Sequence, residues 1–307
     1  MGQLWDRLAS EINLLLGRKA AVANFDIGQM TTYRTIAKCT LFVQVENQEE
    51  LLTVSSVSQK AGVKIVVIGN GSNLLISDSG FNGLVVKLGN GFESMEINEN
   101  SVEVGAATKL PVVARQTSSA ALSGFEWAVG VPGTIGGAIK MNAGGHGSDM
   151  NDSIQSVEVI DLENGQKLRI GRKQLQFGYR TSSITSNQIV VQAVLELTDG
   201  IKSESEEMIK DIVRWRLENQ PGGQNAGSVF TNPENQTAGN LIEKTGSKGH
   251  RIGTAQISEK HANFIQVDPN GKASDVFALM EETRRRVFSE FGIMLQIETK
   301  LVGFDND

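Results

Sequence analysis

The chain has 307 residues, 39% hydrophobic and 21% charged, the composition of a soluble globular protein of about two domains that needs no disulfide or structural metal to build a core. A net charge of −6 argues against nucleic acid or an anionic membrane as a partner. Cys39 is the only cysteine, which excludes an internal disulfide and any cysteine-based zinc or iron–sulfur site, and His146, His250 and His261 show no metal-ligand spacing.

In chain order, Leu4, Leu8, Ile12 and Leu15 predict a short amphipathic helix over 3–17. Asp6 and Glu11 interrupt its apolar residues, so the segment is not a signal peptide. No apolar run approaches the ~18 residues of a membrane span, and a cytoplasmic protein is expected. A second helix over 48–61 is entered through Asn47 and stopped by Gly62. The period then changes to that of strands, at Val63–Ile68, Leu74–Ser77, Leu84–Leu88 and 101–105, before a helix over Pro111–Leu122. Val157–Asp161, Lys167–Ile170 and Gln188–Leu197 read as strands, the first two joined through an Asn164-Gly165 turn. A charged helix over 203–218 leads to a strand at Ala262–Val267, a helix over Ser274–Glu290 with Ser274 as N-cap, and a strand at Leu295–Val302. Segregated helices and strands without regular βαβ alternation indicate an α+β fold.

Two segments are unusually rich in glycine. In Gly69-Asn70-Gly71-Ser72-Asn73, small residues follow a strand and let backbone N–H groups converge on an anion. It is not a Rossmann turn: Leu74 stands where a third glycine is needed, and a strand follows where a helix is needed. A plain glycine-rich turn remains open. In Gly130-Val131-Pro132-Gly133-Thr134-Ile135-Gly136-Gly137, continuing through Asn142-Ala143-Gly144-Gly145, the glycines disfavour helix and strand alike, which suits a loop lying against a phosphate or a flat ring. A tight crossing of chain segments is the alternative.

Together these two segments resemble the FAD-binding signature of the UDP-N-acetylenolpyruvoylglucosamine reductases, within the vanillyl-alcohol-oxidase-like flavoproteins. The resemblance runs through nearly the whole chain from about residue 25, with supporting matches at Ala238–Ile242, Gly249–Gly253 and Lys260–Phe264. It implies non-covalently bound FAD held by Gly69, Asn70, Gly71, Ser72, Asn73, Gly130, Pro132, Gly133, Thr134, Gly136 and Gly137. It also implies NADPH as co-substrate and an enolpyruvyl ether of UDP-N-acetylglucosamine as substrate, in peptidoglycan precursor synthesis. The FAD-binding region would be 1–202, as two subdomains of about 1–90 and 91–202, and the substrate-binding domain 203–307.

The same resemblance assigns roles to residues that their surroundings leave open. Tyr179-Arg180 could be a surface cation–π pair, but the family's arginine here reaches the active centre. Ser228 could cap a turn, and it is no nucleophile elbow because glycine is absent at 226 and 230. The family's Gly-Ser-x-Phe-x-Asn-Pro makes it the proton donor. Tyr179, Asn232 and Arg216 fall to substrate binding. Glu298 reads as one side chain of an alternating strand, and the flanking Phe291-Gly292-Ile293 and Val302-Gly303 put it on the catalytic glutamate. Two departures stand out: Ile297 and Thr299-Lys300 replace the usual neighbours of that glutamate, and Ala37-Lys38 stand where many members have Gly-Gly. The span between Arg180 and Ser228 is too short for the substrate-covering insertion of one subtype, so the chain resembles the shorter type. A different flavin oxidase and a non-enzymatic nucleotide-sugar binder are the other readings.

Overall fold

In the computed structural model, which describes residues 2–304, the first helix α1 (Gly2–Leu16) buries Trp5, Leu8, Ala9 and Ile12, leaving Leu4 and Leu15 exposed. The inward stripe therefore lies one position away from the one expected at its two ends. Helix α2 (Gln48–Ala61) has the predicted bounds: the Asn47 side chain accepts from the Glu50 N–H, and Gly62 ends it in the left-handed region. Helix α3 (Leu110–Ser119) stops three residues short of Leu122, because Leu122–Ser123 pairs with Thr198–Asp199 instead.

Helix α4 (Ile135–Met141) corrects the reading of the second glycine-rich segment as wholly non-helical. Its first turn holds Gly136 and Gly137, and the Gly136 N–H donates to Ala106 O at 2.9 Å. Tertiary contacts override local propensity there. Helices α5 (Met150–Ser153), α6 (Lys202–Asn219), α7 (Ala238–Lys244) and α8 (Ala273–Phe291) complete the set among the described residues. Sequence patterning missed α4, α5 and α7, all seven residues or shorter.

The described residues form two units, one made of 2–23, Leu41–Asn70 and Gly83–Arg216, the other of Asn24–Thr40, Gly71–Asn82 and 217–304. The compact units part at 216/217, and two short segments from the amino-terminal part fold with the carboxy-terminal unit.

The first unit has two apolar cores. One is built on an antiparallel sheet ordered Lys167–Gly171, Ile154–Asp161, Gln188–Glu196, Ser101–Gly105, Met95–Asn98, with Val157, Val159, Ala193 and Leu195 packed beneath α3 and α4 residues. The other gathers α1, α2 and strands of a second sheet, in which Ile65–Ile68 runs parallel to the 84–87 stretch of Phe81–Leu88. Its core includes Ile12, Val43, Leu51, Val54 and Leu84.

The second unit packs α7 and α8 on the antiparallel strands Arg251–Ile252, Ala255–Ile257 and Ile265–Val267, around Leu241, Ile257, Val276, Leu279 and Met280. Only Lys300–Val302 of the expected final strand is regular, paired in parallel with Leu74–Ile76. Likewise only Ile265–Val267 of the expected 262–267 strand is regular. Ser274 is not the cap of α8. Lys272 holds that position without a side-chain bond, and the Asp78 carboxylate accepts from the Ala273 N–H at 2.6 Å and the Ser274 N–H at 3.0 Å. A carboxylate on two orphan amides at a helix start is worth about 1–2 kcal/mol. Asp78→Ala is therefore expected to lower the unfolding free energy by that amount, read as a lower urea midpoint at an unchanged m-value, and an unchanged midpoint would show water replacing the cap without loss.

Candidate active site

Within the first unit the two glycine-rich segments meet. A Cβ on Gly69 would lie 2.5 Å from Thr134 Oγ1, so only glycine permits this approach. Asn70 Nδ2 donates to Pro132 O at 3.4 Å. Residues 62 positions apart in sequence are thus brought together. The loop 69–73 then carries the chain into the second unit. There Gly71 adopts φ 61, and a Cβ on it would meet Met30 O at 2.2 Å. Among the described residues, the N–H groups of Asn70, Gly71 and Ser72 donate to no protein acceptor. Backbone N–H groups left free beside a tight glycine loop suit a diphosphate, so the residues fit FAD. The glycines themselves answer partly to packing, as the alternative reading held.

Arg180, also in the first unit, sits at the tip of a tight turn in which Gly178 and Thr181 exchange backbone hydrogen bonds. Its φ of 57 is rare for a residue with a side chain. Its guanidinium donates to Gly144 O at 3.0 Å and Asn142 O at 3.5 Å, and lies 5.3 Å from the Tyr179 ring centroid. The expected cation–π pair exists, and the carbonyls of the Asn142–Gly145 stretch hold the arginine.

Arg216, in the last turn of α6, is partly buried, and desolvation lowers its pKa from the ordinary value. His146 packs edge-on against Trp215, with ring centroids 5.2 Å apart. Its pKa is pushed below the usual histidine value by desolvation and then by the Arg216 charge.

In the second unit Ser228 and Glu298 lie on neighbouring segments. Ser228 pairs with Phe264, Phe230 pairs with Ile297, and the Glu298 N–H donates to Val229 O at 2.8 Å. Asn263, 4% exposed, ties the serine segment down: its Oδ1 accepts from the Phe230 N–H at 3.0 Å and its Nδ2 donates to Phe230 O at 2.8 Å. Asn73, expected at the cofactor, donates through Nδ2 to Glu298 O at 3.2 Å. Asn232 is exposed, and its Oδ1 accepts from the Ala238 N–H at the start of α7. Asn142 and Asn263 lie in segments that the sequence marks, the glycine-rich run and the Lys260–Phe264 match, but no role was expected of either side chain.

An α+β fold with paired glycine-rich loops and backbone donors that meet no protein acceptor suits a protein that holds a diphosphate-bearing cofactor. A family model described as FAD binding domain matches residues 39–171, and one described as UDP-N-acetylenolpyruvoylglucosamine reductase, C-terminal domain, matches 219–302. The chain is 35% identical to the UDP-N-acetylenolpyruvoylglucosamine reductase of Clostridioides difficile, over 96% of this chain and 98% of the relative. It is 40% identical to that of Prochlorococcus marinus, over 92% and 97%. The crystal structure of the reductase from Thermus caldophilus superposes with a TM-score of 0.79 at 34% identity, covering 92% of this chain and 98% of that one. A berberine bridge enzyme variant shares the fold alone, at 14% identity and a TM-score of 0.50 over 64% of this chain and 44% of that one. The chain belongs to the UDP-N-acetylenolpyruvoylglucosamine reductase family.

Proposed function

We infer that the chain reduces the enolpyruvyl ether of UDP-N-acetylglucosamine to UDP-N-acetylmuramate with NADPH, in peptidoglycan precursor synthesis. The observation that carries this is the meeting of Gly69 with the Thr134 hydroxyl and of the Asn70 side chain with the Pro132 carbonyl, beside amide donors that meet no protein acceptor. FAD is assigned to the region 1–202 and the sugar nucleotide to 203–307, while residues 24–40 and 71–82 fold with 217–304. The residues proposed to hold FAD are Gly69 to Asn73 with Gly130, Pro132, Gly133, Thr134, Gly136 and Gly137. Among the described residues no helix is long and apolar enough to cross a membrane. A cytoplasmic enzyme with neither nucleic acid nor membrane as partner fits the net charge of −6.

When bound, FAD would supply hydride chemistry at this site, with NADPH as the source of the electrons and the terminal vinyl carbon of the substrate as the acceptor. The protein manages the charge and the proton. As hydride adds, the double-bond electrons move toward the carboxylate and build an enolate, which Arg180 stabilises as a fixed guanidinium. Glu298 in its protonated form donates a further hydrogen bond to that enolate. Ser228 delivers the proton to the carbon bearing the ether oxygen, closing the balance of one hydride and one proton across the double bond. Tyr179, Asn232 and Arg216 bind the substrate. The partly buried Arg216 suits the diphosphate, because a desolvated cation gains most from an anionic ligand.

The purified protein is expected to be yellow with one FAD per chain, released into the supernatant by acid precipitation. NADPH oxidation should require the enolpyruvyl substrate. A colourless protein that takes up no added FAD overturns the reading, and a yellow one indifferent to that substrate points to another flavin enzyme.

A further inference from the structure

The residue best tied into the Arg180 region is one that the reaction itself does not require. Asn142 is 3% exposed and closes α4 in the left-handed region, at φ 41 and ψ 56. Its side-chain amide makes three hydrogen bonds. Nδ2 donates to Asp149 Oδ2 and to Gly178 O, each at 3.0 Å, and Oδ1 accepts from the Asn151 N–H at 3.0 Å. Its own carbonyl accepts from Arg180, and so does that of Gly144 two residues on. Asn142 therefore grips the turn of Arg180 twice, at its base through Gly178 O and at its tip through the guanidinium.

The residue type follows from these demands. Asparagine tolerates the left-handed region better than most side chains. It also carries two donors and one acceptor on one planar group. Aspartate would set a second carboxylate against Asp149, and alanine would leave the Gly178 carbonyl with only the Thr181 N–H and the Asn151 N–H with only Asp149 Oδ1. The strained φ of 57 at Arg180 persists only if its surroundings over-determine it, and Asn142 is the node that does so.

We infer that Asn142 is the positioning residue of Arg180, holding the guanidinium where the enolate develops. The inference rests on the reading of Arg180 given above. The test is a double-mutant cycle on the holoenzyme, with each half-reaction followed by stopped flow. Asn142→Gly keeps the left-handed backbone and its carbonyl while deleting the side-chain amide. Reoxidation by the enolpyruvyl substrate is expected to slow about 10²-fold, the scale of a small misplacement of an acting group. Reduction by NADPH should change less than about 3-fold, since Arg180 acts only in the second half. In an Arg180→Ala background the same substitution should add less than about 3-fold, because nothing is left to position. The Arg180 Nε–H signal, identified by its loss in Arg180→Lys, should broaden in Asn142→Gly. If the glycine variant folds poorly, Asn142→Ser, which retains an acceptor, enters the same cycle. An unchanged reoxidation rate, or a loss that multiplies fully in both backgrounds, overturns the inference and makes Asn142 a helix cap alone. An Arg180→Ala enzyme that reoxidises at the normal rate is the separate outcome that sinks the role of Arg180, and the inference with it.

Discussion

Ser228→Ala is expected to slow reoxidation of the reduced enzyme by the enolpyruvyl substrate about 10²–10⁴-fold, the usual worth of a positioned general acid. Reduction by NADPH should stay near the normal rate, because no substrate carbon is protonated in that half. The geometry makes the comparison clean. The serine backbone is held by its pairing with Phe264, and the next residues by Val229 N–H to Asn263 O and by both ends of the Asn263 amide. None of these bonds uses the serine hydroxyl, so removing it should leave the segment in place. Stopped-flow traces of the two half-reactions decide the matter. Equal losses in both would make Ser228 structural. An aliphatic hydroxyl is a weak acid, and a D₂O effect on reoxidation should shrink in the variant if it is the donor.

How much of this was legible in the sequence depended on how local the determining contacts are. The bounds of α2 follow from Asn47 and Gly62, which act within four residues of the ends they set, and the structure reproduces them. The central antiparallel strands were legible for the same reason, since β-branched runs and the Asn164-Gly165 turn lie within one hairpin. Helix α4 was not, because glycine propensity is outweighed by Ile135 and Gly136 donating to carbonyls some 27–30 residues earlier, Thr108 and Ala106. The start of α8 was misread for a similar reason: its cap comes from Asp78, 195 residues away, and not from Ser274.

The site divides in the same manner. Short motifs carried Arg180, Ser228 and the glycine loops through family resemblance. The residues that fix them, Asn142, Asn263 and Asn73, act across 36, 33 and 225 positions, where no single-sequence pattern reaches. Asn73 shows the mixture well. Its place in a glycine-rich loop suggested the cofactor, whereas its side chain secures the carbonyl of Glu298.

That carbonyl contact bears on the remaining large effect. Glu298→Ala is expected to lower reoxidation about 10²–10³-fold, the range seen when one preorganised donor to a developing oxyanion is lost. Glu298→Gln should retain most of the rate, within about 10-fold, because its amide can still donate one hydrogen bond in nearly the same place. Both variants should stay folded and yellow. The Glu298 backbone is fixed by its N–H to Val229 O and its carbonyl to Asn73, and neither bond depends on the carboxyl group. Reduction by NADPH provides the internal control and should be nearly unchanged in each. If glutamine is as poor as alanine, the carboxyl group works as a proton source or relay, and the hydrogen-bond role is wrong. If alanine reoxidises at the normal rate, the catalytic glutamate has been placed on the wrong residue. Glu290, the nearest substitute in sequence, is then the next to replace, and loss of the second half-reaction in Glu290→Ala would complete that correction.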